Sequence, residues 1–341
     1  MKRISSLVLL ALISGCAKPN AVTSIQGDTM GTTYKVTFIA RESVGESREA
    51  VATAIARLLD DINQSLSTYI DTSTIFQINA STDLQQWHPV DRHFEIVLQR
   101  SREVYEDTGY AFNPAVGPLV NAWGFGPEQP ETLPDRSTVE ALLRVTNFDS
   151  FEFRNSPPAL RKHVAGARLD FSAIAKGYGV DALGALLEDR GVTDYVVEIG
   201  GEVRARGQRP DGTAWRIGIA KPSEDAAAFS TIQMIIELRD AGLATSGTYR
   251  NYDIQDGKKI AHIIDPKTGY PAQNSLLSVS VIAPDAMTAD AYATALMVMG
   301  LEEGLRFVEA RKHLSAYFIA TDQSGKLVET RSSAFPDAAK H

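Results

Sequence analysis

One cysteine, Cys16, is all that the 341 residues contain. A single thiol excludes an intramolecular disulfide and any multi-cysteine metal site. The six histidines, at 88, 93, 163, 262, 313 and 341, show no H-E-x-x-H or comparable spacing, which argues against a zinc enzyme. Neither G-x-x-x-x-G-K-[ST] nor G-x-G-x-x-G occurs, so P-loop and dinucleotide-fingerprint chemistry are not indicated. No basic cluster stands out and the formal charge is −8, which argues against a nucleic-acid partner. Repeats and low-complexity segments are absent too. Apolar residues make up 44% and charged residues 22%, an ordinary globular balance with enough material for a large core.

The longest apolar run lies at the N-terminus. Met1-Lys2-Arg3 is basic, and Ile4 to Ile13 is mostly apolar over about ten residues, too short to span a bilayer but suited to a secretory leader. It ends in Leu12-Ile13-Ser14-Gly15-Cys16, the L-x-[small]-G-C form of a bacterial lipobox. The expectation is cleavage after residue 15, acylation of Cys16 and anchoring to a membrane. The bland alternative is an ordinary signal peptide with an incidental cysteine. Ala17, where Asp would favour the inner membrane, points to the periplasmic face of the outer membrane. The resulting division is a leader over 1–15, a tether over 16–24 and one domain over 25–335. Loss of Lys2 and Arg3 with the leader takes the formal charge to about −10.

Within the domain, Val51, Ile55, Leu58, Ile62 and Leu66 follow helical spacing, and further helices are expected at 92–107, 137–144, 173–190, 287–299 and 301–311. Alternation marks strands around Tyr34-Val36-Phe38, Trp215-Ile217-Ile219 and Ile232-Met234-Ile236, "DYVVEI" reads as a buried strand, and Val279 and Val281 lie in a further candidate strand. Several strands follow one another without helical crossovers. The expected fold is therefore α+β, with mixed, largely antiparallel sheets and packed helices in one compact unit. The Pro/Gly-rich stretch from Asn113 to Asp135 reads as a binding loop or a linker.

Four stretches can carry chemistry. "GDTMGTTY" (27–34) reads as a turn into a strand, whose glycine also admits a ligand to the backbone. In "LDFSAIAKGYGVDAL" (169–183), a strand ending at Asp170 is expected to pass into a helix whose start carries Lys176, Gly177 and Gly179. Small residues at a helix start favour close approach of an anion; the competing reading is a capped helix with a surface lysine. In "KIAHIIDPKTGYP" (259–271), His262 sits in a strand-like run before a strong turn, either as a general base or as a structural histidine. In "AMTADAYATALMVMG" (286–300), Thr288 is the expected N-cap, with Asp290 in the first turn where the helix dipole favours a carboxylate. Asp290 and Thr294 also share a face at i, i+4, and two hard oxygens so placed suit Mg²⁺.

Taken together, "TMGTTY", "LSTY", "AFNPAVGPLVNAWGFG", "LDFSAIAKGYGVD", "VEIGGEVRARG", "ATSGTYRNY", "HIIDPKTGYP" and "SVIAPDAMTADAYATAL" resemble, in order, the FAD:protein FMN transferases or ApbE flavin transferases. The resemblance runs from about residue 25 to about 330 and implies a definite chemistry. FAD is the substrate, FMN passes to a Thr or Ser hydroxyl of an acceptor protein, AMP leaves and Mg²⁺ is required. By similarity, Asp290, Thr294 and the carbonyl of Ala173 hold Mg²⁺. Met30, Tyr69, Ala111, Phe112, Asn113, Asp170, Lys176, Ile264 and Ala293 match positions around FAD, and His262 is the candidate base. Thr248 and Phe171 depart only slightly from the pattern. Acceptors implied by analogy are subunits of sodium-pumping or electron-transferring membrane complexes. A FAD pyrophosphatase and a flavin-binding lipoprotein without turnover are the competing readings.

Overall fold

The computed structural model describes residues 21–40, 47–222, 231–248, 252–255 and 258–339. The expected leader and Cys16 lie outside the described residues, as does part of "ATSGTYRNY". An eight-stranded sheet runs in the order β1 (Ala21–Thr29), β2 (Thr32–Ala40), β6 (Tyr195–Ile199), β7 (Glu202–Arg206), β10 (Ala241–Gly247), β13 (Leu276–Ala283), β14 (Ser315–Thr321) and β15 (Leu327–Arg331). Every neighbouring pair in it is antiparallel. A three-stranded sheet has the order β3 (His88–Pro89), β5 (Pro158–Lys162), β4 (Phe151–Asn155). Among the described residues, two hairpins complete the strands, β8 (Trp215–Ala220) with β9 (Ile232–Leu238), and β11 (Tyr252–Gln255) with β12 (Lys258–Ala261).

The helices are α1 (Arg48–Leu66), α2 (Thr74–Ala80), α3 (Arg92–Asp107), α4 (Gly117–Ala122), α5 (Arg136–Leu143), α6 (Ala175–Glu188), α7 (Ala286–Met299) and α8 (Leu301–Glu309). Ser47 starts α1 by accepting the Ala50 amide at 3.2 Å, and Val51, Ile55, Leu59, Ile62 and Leu66 form its buried stripe. Leu59 takes the fully buried place that spacing assigns to Leu58, which packs at the margin of the core. Alanine-rich α7 is buried on nearly all sides, against β10 and β13 on one flank and α6 on the other. Strand β14 shows how the sheet separates two cores. Ala316, Phe318 and Ala320 face the α7 side, while Tyr317 and Ile319 face Trp215, Ile236 and Leu238 of the β8–β9 hairpin.

Four expectations need correction. Ala21 to Ser24, placed in the tether, are the first residues of β1, paired with Thr37 to Ala40. No strand ends at Asp170; the chain there runs irregularly from His163 to Ile174 before α6 begins. The Pro/Gly-rich stretch is not wholly irregular, because α4 forms inside it with Pro in its first turn, where a missing N–H costs nothing. Finally, Asp285 rather than Thr288 caps α7, accepting the Thr288 amide at 2.7 Å. The Thr288 hydroxyl is instead buried without a partner, and Asp290 lies past the first turn.

Candidate functional site

A cavity of about 740 Å³ opens where α6, α7, the β1–β2 turn, the Pro/Gly-rich stretch and the 262–266 segment converge. Met30, Tyr69, Ala111, Phe112, Asn113, Asp170, Ala173, Lys176, His262, Ile264, Asp290 and Thr294 all stand on its wall. Its size is that of a site for a large organic ligand. Ala293 is the exception among the predicted positions in the domain. It is fully buried in the main core beneath the Asp290–Thr294 stripe and offers a ligand no surface.

The floor is built by two helices that cap one another. Helix α6 has no side-chain cap of its own at Ile174; the Phe171 carbonyl takes the Ala175 amide at 2.8 Å, and the Gly177 amide needs an acceptor from elsewhere. Asp290 of α7 supplies the missing acceptor: its Oδ2 takes the Gly177 amide at 3.0 Å. In return, Asp181 of α6 accepts the α7 amides of Ala286 (3.0 Å) and Met287 (2.8 Å) and pairs with Arg204 at 2.9 Å. A Cβ on Gly177 would stand 2.4 Å from the Ala286 carbonyl, so glycine is required for the two backbones to meet.

Three charged groups share this floor. Lys176 Nζ lies 2.7 Å from Glu202 Oε1, and Glu202 also lines the cavity. Burial pushes the carboxyls of Asp290 and Glu202 above their ordinary values, opposed in both by the Lys176 ammonium; the charge on Asp290 raises Glu202 further. The cluster thus holds two acids for one ammonium. Next to it, Thr294 and Ser246 hydroxyls meet at 3.2 Å.

The opposite walls are aromatic and apolar. Tyr69 is exposed at the mouth, and its hydroxyl reaches the Phe125 carbonyl at 3.2 Å. His262 presents its ring edge-on to Phe125, with centroids 6.3 Å apart. Met30 sits in the two-residue turn of the β1–β2 hairpin with φ +50°, a left-handed conformation that a side chain adopts at a cost of about 1–3 kcal/mol. Its Sδ–Cε end packs where a Cβ on Gly179 would otherwise stand. Asn113 lines the cavity and also shapes its own loop. Its Oδ1 takes the Ala115 amide at 2.8 Å and its Nδ2 donates to the Thr146 carbonyl at 3.3 Å, so its side chain braces the loop. Asp170 Oδ1 accepts from the Ser172 amide at 2.7 Å, which shapes the turn that brings Ala173 to the wall. Glu202, Ser246 and Phe125 are wall residues that the sequence reading did not single out.

Among the described residues, no three His, Cys, Asp or Glu side chains converge as a metal cluster, and no helix is long and apolar enough to cross a membrane.

The ApbE family model matches residues 30–318. The chain is 39% identical to the FAD:protein FMN transferase of Vibrio cholerae serotype O1, over 97% of this chain and 96% of that protein. It is 36% identical to the Haemophilus influenzae protein of the same name, over 98% and 97%. Among solved structures, the flavin transferase ApbE from Vibrio cholerae superposes with a TM-score of 0.83 at 38% identity, covering 93% of this chain and 99% of that one. The Pseudomonas stutzeri flavinyl transferase ApbE in its apo form gives 0.82 at 34%, covering 92% and 96%.

Proposed function

This chain belongs to the ApbE family and is a flavin transferase, and from that premise we propose that it moves FMN from FAD to a Thr or Ser hydroxyl of an acceptor protein, releasing AMP with the help of Mg²⁺. The observation that carries the reading is the cavity floor, where two buried acids share one ammonium beside a hydroxyl pair. Two carboxyls beside a hydroxyl pair offer hard oxygens whose ionised forms a divalent hard cation favours, and Mg²⁺ in particular is held by one or two carboxylates with the ligand's phosphates completing its shell. Asp290, Thr294 and the Ala173 carbonyl would hold it. When bound, the ion supplies charge neutralisation at the pyrophosphate.

The protein's own groups account for the remainder. Tyr69 and Met30 offer flat and polarisable surfaces at the mouth for a ring system. Lys176, close to the start of α6, meets the pyrophosphate with a positive charge and the positive end of the helix. The acceptor oxygen attacks the phosphorus on the FMN side, and the bond from that phosphorus to the oxygen bridging to AMP breaks. His262 takes the proton from the attacking hydroxyl, and AMP departs with the bridging oxygen. Holding both reactants in one cavity supplies the positioning that such a transfer needs.

The test is incubation of the full chain with FAD, Mg²⁺ and the membrane fraction of the source cell. A covalently fluorescent acceptor band together with AMP supports transfer. Release of free FMN and AMP at the same rate without acceptor would make the protein a pyrophosphatase, and no turnover at all would leave a flavin-binding protein. Residues 1–20 carry the proposal that the enzyme is anchored through Cys16 on the periplasmic side, where membrane-complex subunits would be its acceptors.

A further inference from the structure

Glu202 stands at the start of β7 with 3% of its surface exposed, on the wall of the cavity. Only one of its oxygens is accounted for by the Lys176 ammonium; Oε2 is buried with no hydrogen-bond partner. A buried ion pair is a weak stabiliser, because desolvation of both charges offsets their attraction, and an unpartnered charged oxygen adds a further cost. A group kept at that cost beside a ligand cavity is accounted for by what it does to the ligand-facing partner. Lys176 has a long, flexible stem whose ammonium can take many positions at the start of α6. The 2.7 Å contact from β7 does fix it, from the opposite side of the helix–sheet boundary.

We infer that Glu202 is a positioning residue for the transfer reaction, acting through Lys176 by pinning its ammonium at the cavity wall where the pyrophosphate lies. The inference rests on the transferase reading above. The contact through which Glu202 acts is the 2.7 Å one to Lys176. Its role is to spare the lysine the entropy of searching for its productive position during turnover.

A double-mutant cycle in the full chain tests this, using E202Q, K176Q and the double variant in the acceptor assay with FAD and Mg²⁺. E202Q is expected to lower kcat about tenfold or more while KM for FAD stays within about threefold. In the K176Q background the same change is expected to lower kcat by less than about twofold, because the group it positions is gone. E202D, which keeps the charge, should recover part of the loss. Equal fold-losses in both backgrounds would overturn the inference, as would a loss confined to KM. If E202Q does not fold, E202A takes its place in the cycle and is read by the same criterion. Absence of transfer by the unaltered protein would instead sink the transferase reading, so the two failures are distinguishable.

Discussion

One oxygen of Asp290 holds the Gly177 amide while the carboxylate forms part of the cavity wall. An amide in its place keeps the shape and one acceptor oxygen but removes the charge that a cation needs. D290N is therefore expected to fold, with Tm within a few degrees of the unaltered protein, and to lose about 100-fold or more of its Mg²⁺-dependent transfer rate. Unchanged rates at limiting Mg²⁺ would sink the metal assignment. His262 makes a different case, because it lies across the cavity beside Phe125. H262A is expected to retain FAD, measured by quenching of flavin fluorescence, while transfer falls by about 10²–10⁴-fold as a general base is removed. Unaltered transfer kinetics would return His262 to a structural role. At this scale the sequence already displays Asp290, Thr294, Lys176 and His262, since each sits in a stretch with unusual local chemistry. Glu202 was not legible there. In "GEVRAR" a charged residue next to alternating apolar ones looks like an outward-facing strand position, and only the packing of α6 over β7 turns it inward.

Helices α6 and α7 show how much an element owes to its neighbour. Periodicity alone located both to within about two residues. It did not locate their caps, because Asp290 and Asp181 each cap the other helix, and that exchange depends on a contact between residues more than a hundred positions apart. Thr288 was a reasonable cap by type, but Asp285 follows Pro284 in extended backbone and reaches the N3 amide first. Asp181 gives the pair a pH signature. Burial, and next the charge of Asp285, push its carboxyl up to about 6, against the amides of Met287 and Ala286 and the Arg204 guanidinium. Because this exceeds its ordinary value of 3.8, the folded chain binds the proton more tightly than the unfolded one. The associated stability is full below about pH 3.8 and is lost as pH rises through about 6. D181N removes that component, so its unfolding free energy should fall less steeply than that of the unaltered protein from pH 4 to 6. Parallel denaturant titrations across that range check it, and identical slopes would contradict it.

For the whole molecule, the class was readable and the assembly was not. Successive strands without crossovers announce antiparallel pairing, yet the order of the eight-stranded sheet joins β2 to β6 and β7 to β10 across long stretches of chain. No local pattern encodes such pairings, which come from burying both faces of the central strands at once. The same holds for the tie that closes the helical side. Asp107, the last residue of α3, takes two bonds from Arg311, both at 2.8 Å, and one from the Tyr292 hydroxyl of α7 at 2.8 Å. Arg311 in turn lies over the Phe307 ring of α8, 3.4 Å from its centroid. One carboxylate thus ties the end of α3 to α7 and to the segment that follows α8. Its hydrogen bond from Arg311 is the main cause that holds its pKa below the ordinary 3.8, and the Tyr292 bond adds to this against the cost of burial. A depressed value means stability that is present above about pH 3.8 and lost as pH falls through the folded value. Because Asp107 is partly exposed and the pair is screened by solvent, the effect is modest. D107N is expected to lower Tm at pH 7 by about 1–3 °C. The two proteins should converge as the buffer is taken from pH 4 towards 2, where the unaltered carboxylate is protonated and loses the same charge. Thermal unfolding at matched ionic strength over that series measures both parts. A gap of constant size down to pH 2 would show that the clamp acts through packing of Arg311 and Tyr292 and not through the Asp107 charge.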